Sequence, residues 1–322
     1  MAATGAASLD EEVEPVQKLS KVLQKAGVSG SKVRVVSGGK QGHDRLLVEK
    51  KACAGAEECR LVVAPILGKT LGRRLAVTDR RCGRSGNGYC SFCLVSEAVY
   101  GIFSAVVQLP KEGNPVSGDS QGTRLIGDHL FLALLSDGMG VGTMAARISQ
   151  AAIKLLEGMF AAGFEKNFAL ANLNSILLLA TPEDEFATLD FLLFDRLSGE
   201  VELFKVGSAP TYIKKEREVQ VIRSTALPVG IVPQVDPEYY RDFLDDGNLI
   251  VMVSDGAATL GSQRSEDWIL KALRRTEVSA AQPLCDYLLE LAKIESNGEI
   301  NDDLTIMVLQ VKAQSRSLIN NI

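Results

Sequence analysis

Two hydrophobic runs in this chain stop on the same three residues. "LFLALLSDG" occupies positions 130–138 and "LIVMVSDG" occupies 249–256. An apolar run of this length closed by glycine reads as a strand buried on both faces. A carboxylate at the end of such a strand has no apolar place to go. One Asp-Gly is an ordinary turn dipeptide, but here the pattern recurs more than a hundred residues apart, and two further acidic points share its placement. "PVSGDSQG" presents Asp119 ahead of the strand leading to Asp137, and "GEINDDLTIMV" sets Asp302 and Asp303 directly before another apolar run. All five aspartates fall at strand edges, and strand ends can converge in space.

Carboxylates gathered at one point repel, and they take up protons unless a cation compensates them. The pattern therefore predicts a metal site. Its ligands are hard oxygens, because the only histidines are His43 and His129. That donor set suits magnesium or manganese rather than zinc or copper. Glycine after each aspartate lets the backbone bend tightly and brings a carbonyl or a water near the ion.

The 322 residues, 46% of them hydrophobic and 23% charged, are enough for about two domains with a sizeable core. A net charge of −5 gives no basic field for nucleic acid or anionic lipid, so the expected partners are proteins or small ligands. No apolar run reaches the roughly 18 residues of a membrane span and no secretory h-region is evident, so a soluble, cytoplasmic chain is expected.

Along the chain, an amphipathic helix is expected over 10–28, ending at Gly27. A hairpin follows around "GGKQG", then a helix over 56–72, and strands in "GYCSFCLVSEAVYGIFSAVVQL". The polar "PKEGNPVSGDSQG" reads as a connector. Beyond it come strand 128–137 and a helix from Thr143, as N-cap, to Phe160, with an apolar stripe of Met144, Ile148, Ala152, Leu155, Leu156 and Met159. A helix over 166–180, meander strands, helices near 264–275 and 279–296, and a closing strand "DDLTIMVLQVKA" complete the pattern. Strand groups separated from helix pairs imply an α+β fold of two antiparallel sheets flanked by helices. The expected division is a cysteine-containing α/β module at 1–110, a larger domain at 111–314, and a tail at 315–322. Five of the six cysteines lie in the first third. They are expected to be reduced thiols packed in the small module; the alternative is a thiolate zinc site to which Cys90-Ser-Phe-Cys93 would contribute, although Cys53 and Cys59 are poorly spaced for a knuckle.

"VSGDS", "SDGMGVG", "FKVGSAPTYIKK", "LPVGI", "VMVSDG" and "NDDLTIMV", in that order over about 115–312, resemble the metal-dependent PPM-type (type 2C) serine/threonine phosphatases. The wording "DGMGVG" and "VGSAP" is nearest the stage II sporulation protein E branch. Residues 10–110 resemble more loosely the segment that precedes the phosphatase in that branch, while its upstream multi-span membrane region has no counterpart here. The resemblance implies an α-β-β-α sandwich holding two Mn²⁺ or Mg²⁺ ions that activate a water for attack on phosphorus. It makes Asp137 the bridging ligand, with Asp255 and Asp302 completing one ion's shell and Asp119 and the Gly138 carbonyl serving the other. Asp303 stands where many relatives carry asparagine, which leaves open which of the adjacent pair ligates. It further implies a phosphorylated anti-sigma factor antagonist as substrate protein. We also expect the helices over 143–180, directly after Asp137, to couple metal binding to dimerisation or to the first module.

Met139 replaces a histidine that eukaryotic relatives use to protonate the leaving group. His129 is too far along its strand to substitute and reads as structural, and Arg124 and Arg147 are the candidates for binding phosphate. Two other readings compete. "SDGMGVG" also resembles the adenine-binding box of histidine-kinase-type ATPases, which would leave the second Ser-Asp-Gly and "DDLT" unexplained. A pseudophosphatase that binds a phosphoprotein without turnover would keep the same residues.

Overall fold

A computed structural model describes residues 13–36, 44–53, 55–83, 88–180, 186–260 and 267–314. The chain divides into two compact units, Met1–Glu97 and Ala98–Ile322. The division expected at 110 lies elsewhere because strand Tyr100–Leu109 pairs along its whole length with the last strand of the second unit. Among the described residues no helix is long and apolar enough to cross a membrane. The "GGKQG" turn and the tail 315–322 fall outside the described residues.

In the first unit, α1 (Val13–Lys25) and β1 (Lys32–Val36) are followed by β2 (Arg45–Lys51), α2 (Ala64–Leu71), β3 (Leu75–Arg81) and β4 (Tyr89–Ser96). The four strands form one antiparallel sheet in the order β1-β2-β4-β3. Leu19 and Leu23 of α1 and Val63 and Leu67 near α2 pack on Val48, Phe92 and Leu94 of the sheet. Gly27, with φ of 83°, turns the chain just beyond α1. The continuous helix expected over 56–72 instead opens with a π-helical turn, Cys59–Val63. Pro65, which has no N–H to donate, sits at the junction. β3 was not evident in the sequence because its alternation dissolves into "TDRR". The strand β4 also removes the alternative of a Cys90/Cys93 zinc pair: residues three apart on a strand point to opposite faces, and Cys90 is buried while Cys93 is half-buried.

In the second unit the elements are β5 (Tyr100–Leu109), β6 (Asp119–Ile126), β7 (Leu130–Asp137), α3 (Thr143–Ala161), α4 (Lys166–Ala180), β8 (Leu189–Asp195), β9 (Glu200–Val206), β10 (Thr211–Lys215), β11 (Glu218–Ile222), β12 (Glu238–Phe243), β13 (Leu249–Val253), α5 (Asp255–Ala258), α6 (Trp268–Arg275), α7 (Ala281–Glu295) and β14 (Leu304–Ala313). Two five-stranded antiparallel sheets result, β12-β9-β8-β7-β6 and β11-β10-β13-β14-β5. Period-two alternation assigns each side chain a layer. Ala133 and Leu135 meet Met252, Met307 and Leu309 between the sheets. Leu132 and Leu134 point outward against Ile148, Leu156 and Phe160 of α3. On the other sheet Val251, Ile306 and Val308 bury against Ile269, Leu273, Leu284 and Leu288 of α6 and α7. At about 2 kcal/mol for each fully buried Leu, Ile or Phe, these three layers hold the strand ends rigidly.

Several local expectations gave way to tertiary context. Residues 119–126, assigned in part to a connector, form edge strand β6, whose exposed polar positions hide its period. "EYYRDF" likewise forms edge strand β12. The strands read as one meander split between sheets: β8 pairs with β9 and β10 with β11, and the chain crosses over at Gly207, whose φ is 66°. Thr143 is the first residue of α3 and not its cap. Gly142 caps the helix with φ of 76° and no side-chain bond. The buried face of α3 is Ala145, Ile148, Ser149, Ala152, Ile153, Leu156 and Phe160, while Met144 is exposed.

Candidate metal centre

Asp119 begins β6 and Asp137 ends β7, and the antiparallel register sets the two directly opposite one another. Like charges in that relation destabilise a sheet unless something offsets them. The end of β7 is pinned by Thr188. Its N–H donates to the Asp137 carbonyl at 2.8 Å, its hydroxyl accepts the Asp137 N–H at 3.2 Å, and its carbonyl accepts the Ser136 hydroxyl at 2.7 Å. The second Ser-Asp-Gly is pinned in the same manner: the Ser254 hydroxyl accepts the Thr305 N–H at 2.9 Å and donates to the Asp303 carbonyl at 3.2 Å. Thr305 then reaches across from the other sheet, donating its hydroxyl to Asp119 Oδ2 at 2.6 Å.

The glycines beside the aspartates are required by close packing. A Cβ on Gly138 would stand 2.1 Å from the Ala145 carbonyl oxygen of α3, and one on Gly256 would stand 2.2 Å from the Asp303 carbonyl oxygen. The missing side chains let α3 and the end of β14 close on the strand ends.

Asp302 and Asp303 divide their work. Asp303 is 2% exposed, and both its carboxylate oxygens are taken by backbone N–H groups, Oδ1 by Lys111 at 2.8 Å and Oδ2 by Gly118 at 2.7 Å. Asp302 is exposed and, among the described residues, accepts only the N–H of its neighbour, at 2.9 Å through Oδ1. Asp255 is exposed at the start of α5.

The carboxylates perturb one another. Burial, then the charges of Asp119 and Asp255, both within hydrogen-bonding contact, push the Asp137 carboxyl well above its ordinary range. Asp119 is raised mainly by burial, against the pull of the Thr305 and Ser254 hydroxyls. Asp302 is raised by burial and then by Asp255 and Asp303. Asp119, Asp137 and Asp255 are thus brought together, with Asp302 beside Asp255. Among the described residues no three such side chains already close on one point as a finished ligand shell; they converge in pairs.

Asp119 Oδ1 is buried with no hydrogen-bond partner among the described residues. A dry, unpaired carboxylate oxygen facing other carboxylates is costly, and a hard divalent ion is the group that would satisfy it. The residues therefore fit magnesium or manganese. A cavity of about 520 Å³ opens beside Asp119, lined among others by Gln108, Ser117, Arg147, Gln150 and Lys154. Arg147 faces this groove. Arg124, exposed on β6, is not among its lining residues. His129 lies in the β6–β7 turn and not on the strand, at the end of β7 away from Asp137. Sequence reasoning missed Thr188, Ser254 and Thr305; the serine shared by both Ser-Asp-Gly motifs and the threonine of "DDLT" were the available signals.

A sandwich of two antiparallel sheets between helix pairs, with acidic strand ends gathered at one edge, defines a PP2C-type serine/threonine phosphatase fold. The PP2C phosphatase domain with a fragment of the regulatory domain of the cell fate determinant SpoIIE from Bacillus subtilis matches it with a TM-score of 0.73 at 26% identity, covering 94% of this chain and 88% of that one. RsbX, solved in complex with magnesium, shares the fold alone, with a TM-score of 0.53 at 19% identity over 67% of this chain and 98% of that one. The model of the Stage II sporulation protein E (SpoIIE) family matches residues 127–312, and the chain belongs to that family. Stage II sporulation protein E of Bacillus subtilis (strain 168) is 31% identical over 261 residues, which is 80% of this chain and 31% of that relative. The chain therefore spans about a third of that relative's length.

Proposed function

We propose that this chain is a metal-dependent phosphatase that removes phosphate from phosphoserine on a regulatory protein. The observation that carries the reading is the convergence of Asp119, Asp137 and Asp255 from two sheets, with one buried carboxylate oxygen left unpartnered. In this reading Asp137 would serve two Mn²⁺ or Mg²⁺ ions, one held with Asp119 and the Gly138 carbonyl and the other with Asp255 and Asp302. Bound there, such ions lower the pKa of a water and offset charge on phosphoryl oxygens during in-line displacement. Asp303 acts as a brace, tying the loop at Lys111 and the strand start at Gly118 to β14. Thr305 orients Asp119 by its 2.6 Å hydrogen bond, leaving Oδ1 for the ion. Met139 has no proton to give, so the serine leaving group takes its proton from solvent water. Arg147, which lines the groove beside Asp119, would meet the phosphoprotein there.

The family suggests a serine-phosphorylated anti-sigma factor antagonist as substrate, a cytoplasmic setting, and a first unit that regulates the second. α3 is the natural transmitter. The Ser149 hydroxyl donates to the Gly118 carbonyl at 2.6 Å, and the Ala145 carbonyl packs on Gly138, so the helix touches both strand ends that carry the facing aspartates. Dimerisation or the first unit would act by shifting it.

The test is phosphate release by the full chain from para-nitrophenyl phosphate and from a phosphoserine peptide. Manganese-dependent release that EDTA abolishes is expected. Preferential hydrolysis of ATP would place the chain among the histidine-kinase-type ATPases, and tight binding of a phosphoprotein without turnover would make it a pseudophosphatase.

A further inference from the structure

Four of the six cysteines, Cys53, Cys59, Cys82 and Cys90, line a single cavity of about 120 Å³ in the first unit. They arrive from four separate places: Cys53 just past β2, Cys59 at the start of the π-helical turn, Cys82 just past β3, and Cys90 within β4. No pair is a close-spaced knuckle, which is why spacing alone did not reveal the set.

Donors are aimed at the sulfurs. The Gly83 N–H donates to Cys90 Sγ at 3.4 Å. Cys53 accepts backbone N–H groups of Glu58 and Gly55. The Arg80 guanidinium hydrogen-bonds Cys59 while it pairs with Glu57 Oε1 at 2.9 Å. Lys50, with a side chain 3% exposed, also lines the cavity and is balanced by Glu58 at 2.7 Å. N–H groups and cations directed at sulfur are polar surroundings that packed apolar cysteines have no need of.

We propose that Cys53, Cys59, Cys82 and Cys90 form a structural zinc site, each thiol giving its proton to solvent as its sulfur bonds the ion. Four thiolates with no histidine and no open position make the tetrahedral sulfur set of structural zinc. Lys50 and Arg80, each already paired with a glutamate, border that centre. Among the described residues no three sulfurs yet surround one point. Cys59 and Cys90 are buried on regular elements, while Cys53 and Cys82 lie outside helix and strand and would have to move inward to complete the set. The ion would then fasten β2, the π-helical turn, β3 and β4 together in a unit whose own core is small.

The full chain, purified under reducing conditions, is tested for zinc by elemental mass spectrometry, then stripped and titrated with zinc against a chromophoric chelator. One zinc per chain is expected. Cys53→Ser and Cys82→Ser, at the less buried positions, should each weaken zinc more than about tenfold, since even outer partners of metal ligands are worth 10–100-fold. Cys93→Ser, on the other face of β4, should leave affinity unchanged and shows that loss is not generic. Absence of zinc with no binding on titration, undiminished affinity in both variants, or intact mass showing the four thiols paired as disulfides would each overturn the proposal. The readout is metal content, so it is independent of phosphatase activity.

Discussion

Asp302 and Asp303 are adjacent and identical, yet the structure gives them separate tasks that substitution should separate. Asp303→Ala strips the acceptor from two backbone N–H groups, at Lys111 and Gly118. Hydrogen bonds to a charged group contribute about 1.5–3 kcal/mol each, so the loss should reach about 3–6 kcal/mol. Asp302→Ala removes an exposed carboxylate that accepts one local N–H, and should cost under about 1 kcal/mol. In a unit of this size 1 kcal/mol corresponds to roughly 2–4 °C in melting temperature. Thermal melts in EDTA should therefore drop by at least about 6 °C for Asp303→Ala and by less than about 4 °C for Asp302→Ala. Calorimetry should show the reverse order for manganese, with Asp302→Ala losing affinity although it melts normally. Equal melting shifts, or undiminished manganese affinity in Asp302→Ala, would refute the division.

Asp137→Asn should reduce turnover to below a few percent while raising the metal-free melting temperature, because the most crowded carboxylate becomes neutral; a variant with substantial turnover contradicts the bridging role. The pH dependence has a definite sign. Burial pushes Asp119 up to about 6 and raises Asp137 as well, so the folded chain keeps protons that the unfolded chain releases above about pH 4. The stability these protons confer is complete below about pH 4; the share of Asp119 is lost as pH rises through about 6, and that of Asp137 is lost at higher pH still. In EDTA the melting temperature of the native chain should fall over that interval more steeply than that of Asp137→Asn, and manganese should restore it at neutral pH; parallel profiles would contradict the coupling. Gly138→Ala sets a Cβ 2.1 Å from the Ala145 carbonyl oxygen, so α3 must move. A loss of about 1–3 kcal/mol in urea denaturation, with loss of manganese affinity, is expected.

The parts of this molecule that were legible in the sequence are those where burial dominates. β7, β8, β13 and β14 are largely apolar and buried on both faces, and their acidic ends stand out against that background. Edge strands carry no such contrast: β6 and β12 have one face in water, and "GDSQGTRLI" and "EYYRDF" read as loop. The crossing from β9 to β10 was invisible because a hairpin and a change of sheet use the same glycine-containing turn, and only long-range pairing tells them apart. The site aspartates were found by type and strand-end position, but Asp303's role as a brace depends on which N–H groups point at it. The cysteine cavity was hidden for the same reason, its members being brought together by a sheet order no local spacing encodes.

The central claim is that aspartates from two sheets meet because divalent ions make their crowding tolerable. Anomalous diffraction from a manganese-soaked crystal tests it most directly. The account predicts two peaks about 3.5–4 Å apart, bridged by Asp137 and flanked by Asp119, Asp255 and Asp302. Saturating manganese with no peak among these carboxylates, or ions bound elsewhere while they stay paired through protons, would contradict it.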